Sequence, residues 1–100
     1  MERLFNSRGK HIANFSNGQL YSPHGQNIGH LLDDRGIFID MHGHYLGEIV
    51  ASDRLMRKRN SPYKNMNFGN RGNHGNIGNH GNPGNRGAIG RIAGYEDVEL

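Results

Sequence analysis

The chain has 100 residues, no cysteine and only 33% apolar residues, which excludes disulfides and thiolate metal sites and allows one small domain at most. The formal net charge of +3 is unevenly spread, because residues 54–91 hold eight Lys or Arg and no acid, whereas residues 1–53 and 92–100 are net acidic. No apolar run approaches the roughly 20 residues of a membrane span, and the first ten residues lack the apolar core of a signal peptide. We therefore expect a cytoplasmic protein, with export by a route that uses no cleaved signal as the open alternative.

The first half of the chain contains an internal repeat. Three segments align without a gap: FNSRGKHIANF (5–15), YSPHGQNIGHL (21–31) and IDMHGHYLGEI (39–49). Each begins with a large apolar residue and a short polar one, places glycine three residues after the polar one, and ends in an apolar stretch. A repeat of this kind predicts one supersecondary unit used three times.

Turn chemistry explains the glycine of each repeat. A short polar residue followed three positions later by Gly9, Gly25 or Gly43 is typical of a type I turn whose last residue is left-handed. The stretch after each glycine then forms a strand. We predict an all-β meander of hairpin repeats over residues 1–50, arranged as a flower-like open barrel. The expected buried residues are Phe5, Tyr21, Ile28, Phe38, Leu46 and Ile49.

The segments FNSRGKHIAN, LYSPHGQNIGHL and FIDMHGHYLGEIV resemble the repeats of the 4-fold beta flower family, small bacterial proteins of unknown function. The resemblance implies four similar hairpins with pseudo-fourfold symmetry and no established activity, so it transfers no catalytic residue. Residues 51–68 are interpreted as a basic connector or as an eroded fourth hairpin; alternatively, a partner chain supplies the fourth.

Eight glycines stand at three-residue spacing between residues 69 and 90. They are Gly69, Gly72, Gly75, Gly78, Gly81, Gly84, Gly87 and Gly90. Period three is typical of polyproline II or polyglycine II helices, in which the glycine edge packs against another backbone. Three arrangements remain open: a collagen-like rod of three chains, a folded-back bundle, or a linker. An acidic tail, 91–100, follows.

Two groups of side chains are candidate sites. His42, His44, His74 and His80 are weak candidates for metal binding, since imidazole binds zinc, nickel and copper; equally, they are exposed turn residues, and no metal site is predicted. Arg54, Arg57, Lys58 and Arg59 form a basic patch that could contact an anion such as a lipid headgroup. No specific nucleic-acid binding is predicted.

No catalytic motif or cofactor signature is present, so we expect neither enzymatic activity nor a cofactor. The sequence favours a structural or interaction module that assembles with itself, as a trimer if the glycine run forms a rod. The alternative is a small binding module for an apolar or anionic, lipid-like ligand at the centre of the hairpins.

Overall fold

The computed structural model describes residues 1–70 and 72–100. Across these residues the protein is all-β, as predicted, and has no helix that could cross a membrane. Its eight strands are β1 (Glu2–Phe5), β2 (His11–Ser16), β3 (Gln19–Tyr21), β4 (Asn27–Leu32), β5 (Ile37–Asp40), β6 (Tyr45–Val50), β7 (Arg54–Lys58) and β8 (Tyr95–Asp97).

The strands form a meander that closes into a barrel. Each strand pairs antiparallel with the next, and β1 also pairs in parallel with β7, where Phe5 lies opposite Arg54. At this junction the Phe5 N–H donates to the Asp53 carbonyl oxygen at 2.9 Å. Strands β1–β7 therefore form a closed barrel rather than the predicted open one, and closure removes exposed sheet edges.

Four antiparallel pairs, β1–β2, β3–β4, β5–β6 and β7–β8, are here numbered hairpins 1 to 4. In hairpin 4 the two strands are separated by residues 59–94. The segment interpreted as a basic connector thus contains strand β7, and the acidic tail contains β8. Because β6 occupies one edge of β7, β1 and β8 share the other edge, with β1 at its start and β8 at its end.

The turns of hairpins 1 to 3 have the same geometry. The N–H groups of Gly9, Gly25 and Gly43 donate to the carbonyl oxygen three residues earlier, at 2.9–3.1 Å. All three glycines have positive φ, between 87° and 94°, a conformation that side chains with a Cβ rarely adopt. These turns lie together at one end of the barrel, since β1, β3 and β5 run in the same direction.

The barrel centre is filled by one large residue from each hairpin: Leu4, Leu20, Phe38 and Leu55. In the first three hairpins this residue lies opposite a small one: Ala13, Gly29 or Gly47. A large side chain on the first strand therefore packs over the space left by a small residue on the second.

Three of the six residues expected to be buried are so: Phe5, Tyr21 and Phe38. The other three, Ile28, Leu46 and Ile49, are half-buried and pack around the central cluster. Leu4 and Leu20 were missed because an irregularity in strand pairing follows each of them. Such a β-bulge lets two consecutive residues be buried, which strict alternation does not predict.

Candidate functional site

The sequence of residues 67–90, here called the belt, consists of seven Asn-x-Gly triplets followed by Ala-Ile-Gly. In five of them the Asn Oδ1 accepts a hydrogen bond from the glycine N–H two residues later, at 2.6–2.8 Å. The pairs are Asn67–Gly69, Asn73–Gly75, Asn76–Gly78, Asn79–Gly81 and Asn82–Gly84. Asparagine is suited to such side-chain-closed turns.

The glycines of these five triplets have φ between 80° and 86°. Polyproline II requires a φ near −75°, so the predicted continuous helix of that type is absent from these positions. A Cβ built on any of the eight period-three glycines meets no atom within 4 Å. The predicted packing of the glycine edge is therefore not present within the described part of the chain. At five of these positions glycine is instead suited to the backbone conformation, because φ is positive there.

The belt is bound to the turns of its own barrel. The N–H groups of Phe68, Ile77 and Arg86 donate to the carbonyl oxygens of Gly43, Gly25 and Gly9, at 2.9, 2.9 and 2.8 Å respectively. These three belt residues are nine positions apart, so three triplets lead from one hairpin turn to the next. The belt leaves β7, passes hairpins 3, 2 and 1 in that order, and returns to β8. The belt therefore follows none of the three arrangements considered from the sequence, which were a rod of three chains, a folded-back bundle and a linker.

The close approach of the two backbones leaves no space for a Cβ on the hairpin glycines, whereas it leaves space for one on the belt glycines. A Cβ on Gly25 would overlap Gly78 O and lie 2.6 Å from Gly78 N; a Cβ on Gly43 would make the same contacts with Gly69. Glycine at the turn is thus required both by its positive φ and by the approach of the belt.

A cleft of about 400 Å³ lies between hairpins 1 and 2 where the belt crosses them. It is lined by Lys10, His11, Pro23, His24, Asn79, Gly81, Asn82 and Asn85. The lining contains an ammonium group, two imidazoles and three amides, and no carboxylate. Because Asn79 Oδ1 and Asn82 Oδ1 already accept bonds within the belt, the Nδ2 groups are what these side chains can offer to a ligand.

One lining residue is held firmly by the barrel. His11 is 9% exposed, and its Nε2 lies 2.7 Å from Oδ1 of Asn14, which is fully buried. The imidazole also packs against the Phe5 ring, with 5.7 Å between ring centroids. These contacts fix the His11 ring, so this wall of the cleft is preorganised.

The histidines considered for metal binding are dispersed. His42 and His44 are exposed at the turn of hairpin 3, where His44 Nε2 lies 3.3 Å from Asn67 Nδ2. His74 contacts His30 through their rings, with centroids 5.7 Å apart, while the His80 carbonyl oxygen accepts a bond from Arg3. Among the described residues no three His, Cys, Asp or Glu side chains are grouped to hold a metal ion.

The cationic residues of the basic patch predicted at residues 54–59 do not act together, because each has a different environment. Arg57 lies over the Tyr45 ring at 5.6 Å, Arg59 pairs with Glu96 at 3.4 Å, and Lys58 is exposed on β7. None of the four cationic residues lines the cleft.

Arg54 is buried and has a structural role. Its Nη1 donates to Asn6 O at 3.1 Å, its Nη2 to Gly87 O at 2.7 Å, and its Nε to Asp53 at 3.0 Å. The guanidinium therefore joins the turn of hairpin 1, the belt and the start of β7, and is not available to a ligand.

Strand β8 is secured by polar contacts. The Tyr95 hydroxyl donates to Glu48 Oε1 at 2.9 Å, and this bond raises the pKa of Tyr95. Asp97 accepts bonds from the Ser7 N–H and hydroxyl at 2.8 and 2.7 Å. Burial raises the pKa of Tyr45, whose hydroxyl accepts the Lys58 N–H. These bonds connect strands and are accounted for by the fold.

Comparisons with protein-family models, curated proteins and solved structures gave no match. The resemblance to the 4-fold beta flower family therefore stays a prediction. Sequence reasoning missed the cleft, because its lining comes from two hairpins and from a belt whose course was unknown. The signal that could have located it is the nine-residue spacing of Phe68, Ile77 and Arg86 beside three hairpin turns.

Proposed function

We propose that the protein is a non-catalytic binding module of the 4-fold beta flower type, and that its ligand is a small oxyanion held in the cleft between hairpins 1 and 2. The observation that carries this proposal is the lining of the cleft, in which Lys10, His24 and the belt amides stand together without a carboxylate. Cations and N–H donors at fixed positions are what a phosphate or carboxylate group requires.

The charge around the cleft supports an anion over a cation. The belt and its flanking segments, residues 54–94, contain no acidic residue. The carboxylate of Asp53, which contacts the belt at Arg86 at 3.6 Å, is already paired with Arg54 at 3.0 Å. A cleft with one sign of charge and low-dielectric walls attracts a counter-ion more strongly than a flat surface does.

The position of this site differs from the one expected at the centre of the hairpins, because Leu4, Leu20, Phe38 and Leu55 fill that centre. An apolar part of a ligand has another place to lie. A second cleft, of about 310 Å³, shares Lys10, His11 and Pro23 with the first; its other lining residues are Asn6 and three with apolar side chains, Ile12, Val98 and Leu100. We therefore expect a short-chain alkyl phosphate to bind more tightly than inorganic phosphate.

The test is a titration followed by ¹H–¹⁵N NMR, with inorganic phosphate and butyl phosphate as probes. Shifts should saturate at hairpins 1 and 2 and at residues 79–85. Lys10→Ala should weaken phosphate binding at least about tenfold, since a charge-assisted hydrogen bond contributes about 1.5–3 kcal/mol.

Lys58→Ala is the matched control, because Lys58 is an exposed cation outside the cleft, and it should leave the affinity within about twofold. Shifts centred on residues 57–59, or no saturable shift in wild type, would disprove the proposed site. Equal affinities for the two phosphates would restrict the ligand to the oxyanion alone.

Self-assembly is a second candidate, favoured by the bare glycine edge of the belt, where a Cβ would meet nothing within 4 Å. A second backbone could approach there. Light scattering on a sizing column, with small-angle scattering on the same peak, distinguishes the cases. A compact oligomer would support belt-to-belt contact, and a compact particle with the mass of one chain would contradict self-assembly.

A further inference from the structure

The belt crosses two equivalent gaps between hairpins. It is hydrogen-bonded to hairpins 3 and 2 through Phe68 and Ile77, and to hairpins 2 and 1 through Ile77 and Arg86, nine positions apart in each case. Position 74 in the first crossing therefore corresponds to position 83 in the second. The first residues of β4 and β2, Asn27 and His11, correspond in the same way.

In the first crossing the belt contacts hairpin 2 through both the backbone and the ring of His74. The His74 N–H donates to Asn27 Oδ1 at 2.9 Å, and the His74 ring lies against the His30 ring. Asn27 is 3% exposed, and its amide nitrogen donates to Leu20 O and Gly29 O. A buried, fully oriented acceptor thus holds the belt close to hairpin 2.

In the second crossing that contact cannot form. Position 83 is proline, which has no N–H to donate and no imidazole to insert. The residue that corresponds to Asn27 is His11, whose Nε2 is engaged with Asn14. The 400 Å³ cleft lies at this crossing, with His11 on its wall and Asn82 and Asn85 on either side of Pro83.

We infer that position 83 determines whether the site is open, and that the gap between hairpins 2 and 3 is a second copy of the site, occupied by His74. This inference rests on the proposed function for its ligand, an oxyanion. The linings correspond residue by residue: Gln26, Asn27, Met41 and His42 stand where Lys10, His11, Pro23 and His24 line the open cleft. The occupied copy lacks the lysine, because Gln26 takes its place.

The closing experiment transplants the filled arrangement. In the double variant Pro83→His with His11→Asn, the new N–H at position 83 should donate to the new Asn side chain. Its amide exchange should slow at least about tenfold relative to a solvent-exposed amide, as expected for His74 in wild type, and phosphate affinity should fall at least tenfold. Pro62→His, the same change at an exposed proline outside the belt, should leave the affinity unchanged.

The opening experiment is the reverse. His74→Pro with Gln26→Lys should add a second set of saturable phosphate shifts at hairpins 2 and 3, giving two sites instead of one. If this variant shows one site, and amide 83 in the closing variant exchanges as fast as an exposed amide, the inference is wrong. Absence of phosphate binding in wild type would instead disprove the proposed function, and the exchange rate at position 83 would still decide the inference.

Discussion

Two glycines with positive φ show how differently one residue type is used in this chain. Gly25 (φ 94°) closes the turn of hairpin 2 and faces the belt, whereas Gly36 (φ 66°) lies in the turn between β4 and β5. A Cβ on Gly36 would meet nothing within 4 Å, but one on Gly25 would overlap Gly78 O. The backbone conformation is costly for alanine at both positions; only at Gly25 is there also no space for it.

We therefore expect Gly25→Ala to be much more damaging than Gly36→Ala. A left-handed alanine costs about 1–2 kcal/mol, which is the whole effect expected at Gly36. At Gly25 the belt must also move away, which breaks the Ile77 hydrogen bond, and the loss of unfolding free energy should reach about 3 kcal/mol or more. Chemical denaturation of both variants measures the difference.

Hydrogen exchange adds a local readout to this comparison. In Gly25→Ala the Ile77 amide should lose its protection, while the Arg86 and Phe68 amides lose less. Equal stability of the two variants, with Ile77 still protected, would show that the belt does not need the close approach at Gly25.

At the scale of elements, the turns of hairpins 1 to 3 could be predicted because their signal is local. A polar residue and a glycine three positions later, as in Asn6 and Gly9, determine the turn by themselves. Strand β8 could not be predicted in the same way. Its partner β7 lies on the far side of residues 59–94, and pairing at that separation depends on the closure of the barrel, not on nearby residues.

The belt was misinterpreted for a different physical reason. Glycine at every third residue was taken as a helix with period three, but seven of the eight glycines also have an asparagine two residues before them. An Asn Oδ1 that accepts the glycine N–H, as in Asn76 and Gly78, specifies a turn in each triplet. The cleft was missed because it depends on how the belt docks on the hairpins and on Pro83, which interrupts the series of residues that carry an N–H at this place in the triplet.

At the scale of the whole molecule, Arg54 takes part both in the closure of the barrel and in the docking of the belt. This side chain is 6% exposed and donates to Asn6 O, Gly87 O and Asp53. Its neighbour Asp53 also accepts the Phe5 N–H through its carbonyl oxygen, in the β1–β7 junction. Loss of the guanidinium therefore removes a contact from three parts of the molecule at once.

We expect Arg54→Met to lower the free energy of unfolding by about 3 kcal/mol, because the carbonyl groups of Asn6 and Gly87 and the carboxylate of Asp53 all lose the same charged donor. Arg54→Lys should cost less, since an ammonium group keeps the charge near Asp53 but cannot reach all three acceptors in the geometry of the guanidinium fork.

Arg59→Met is the control: its pair with Glu96 is about half exposed on both sides, and such pairs contribute about 1 kcal/mol or less. Denaturant titration gives the three values, and amide exchange at residues 86–89 reports on the belt. If Arg54→Met and Arg59→Met cost the same and the belt stays protected, then β1–β7 pairing and belt docking are independent of Arg54, and the barrel closes through its backbone alone.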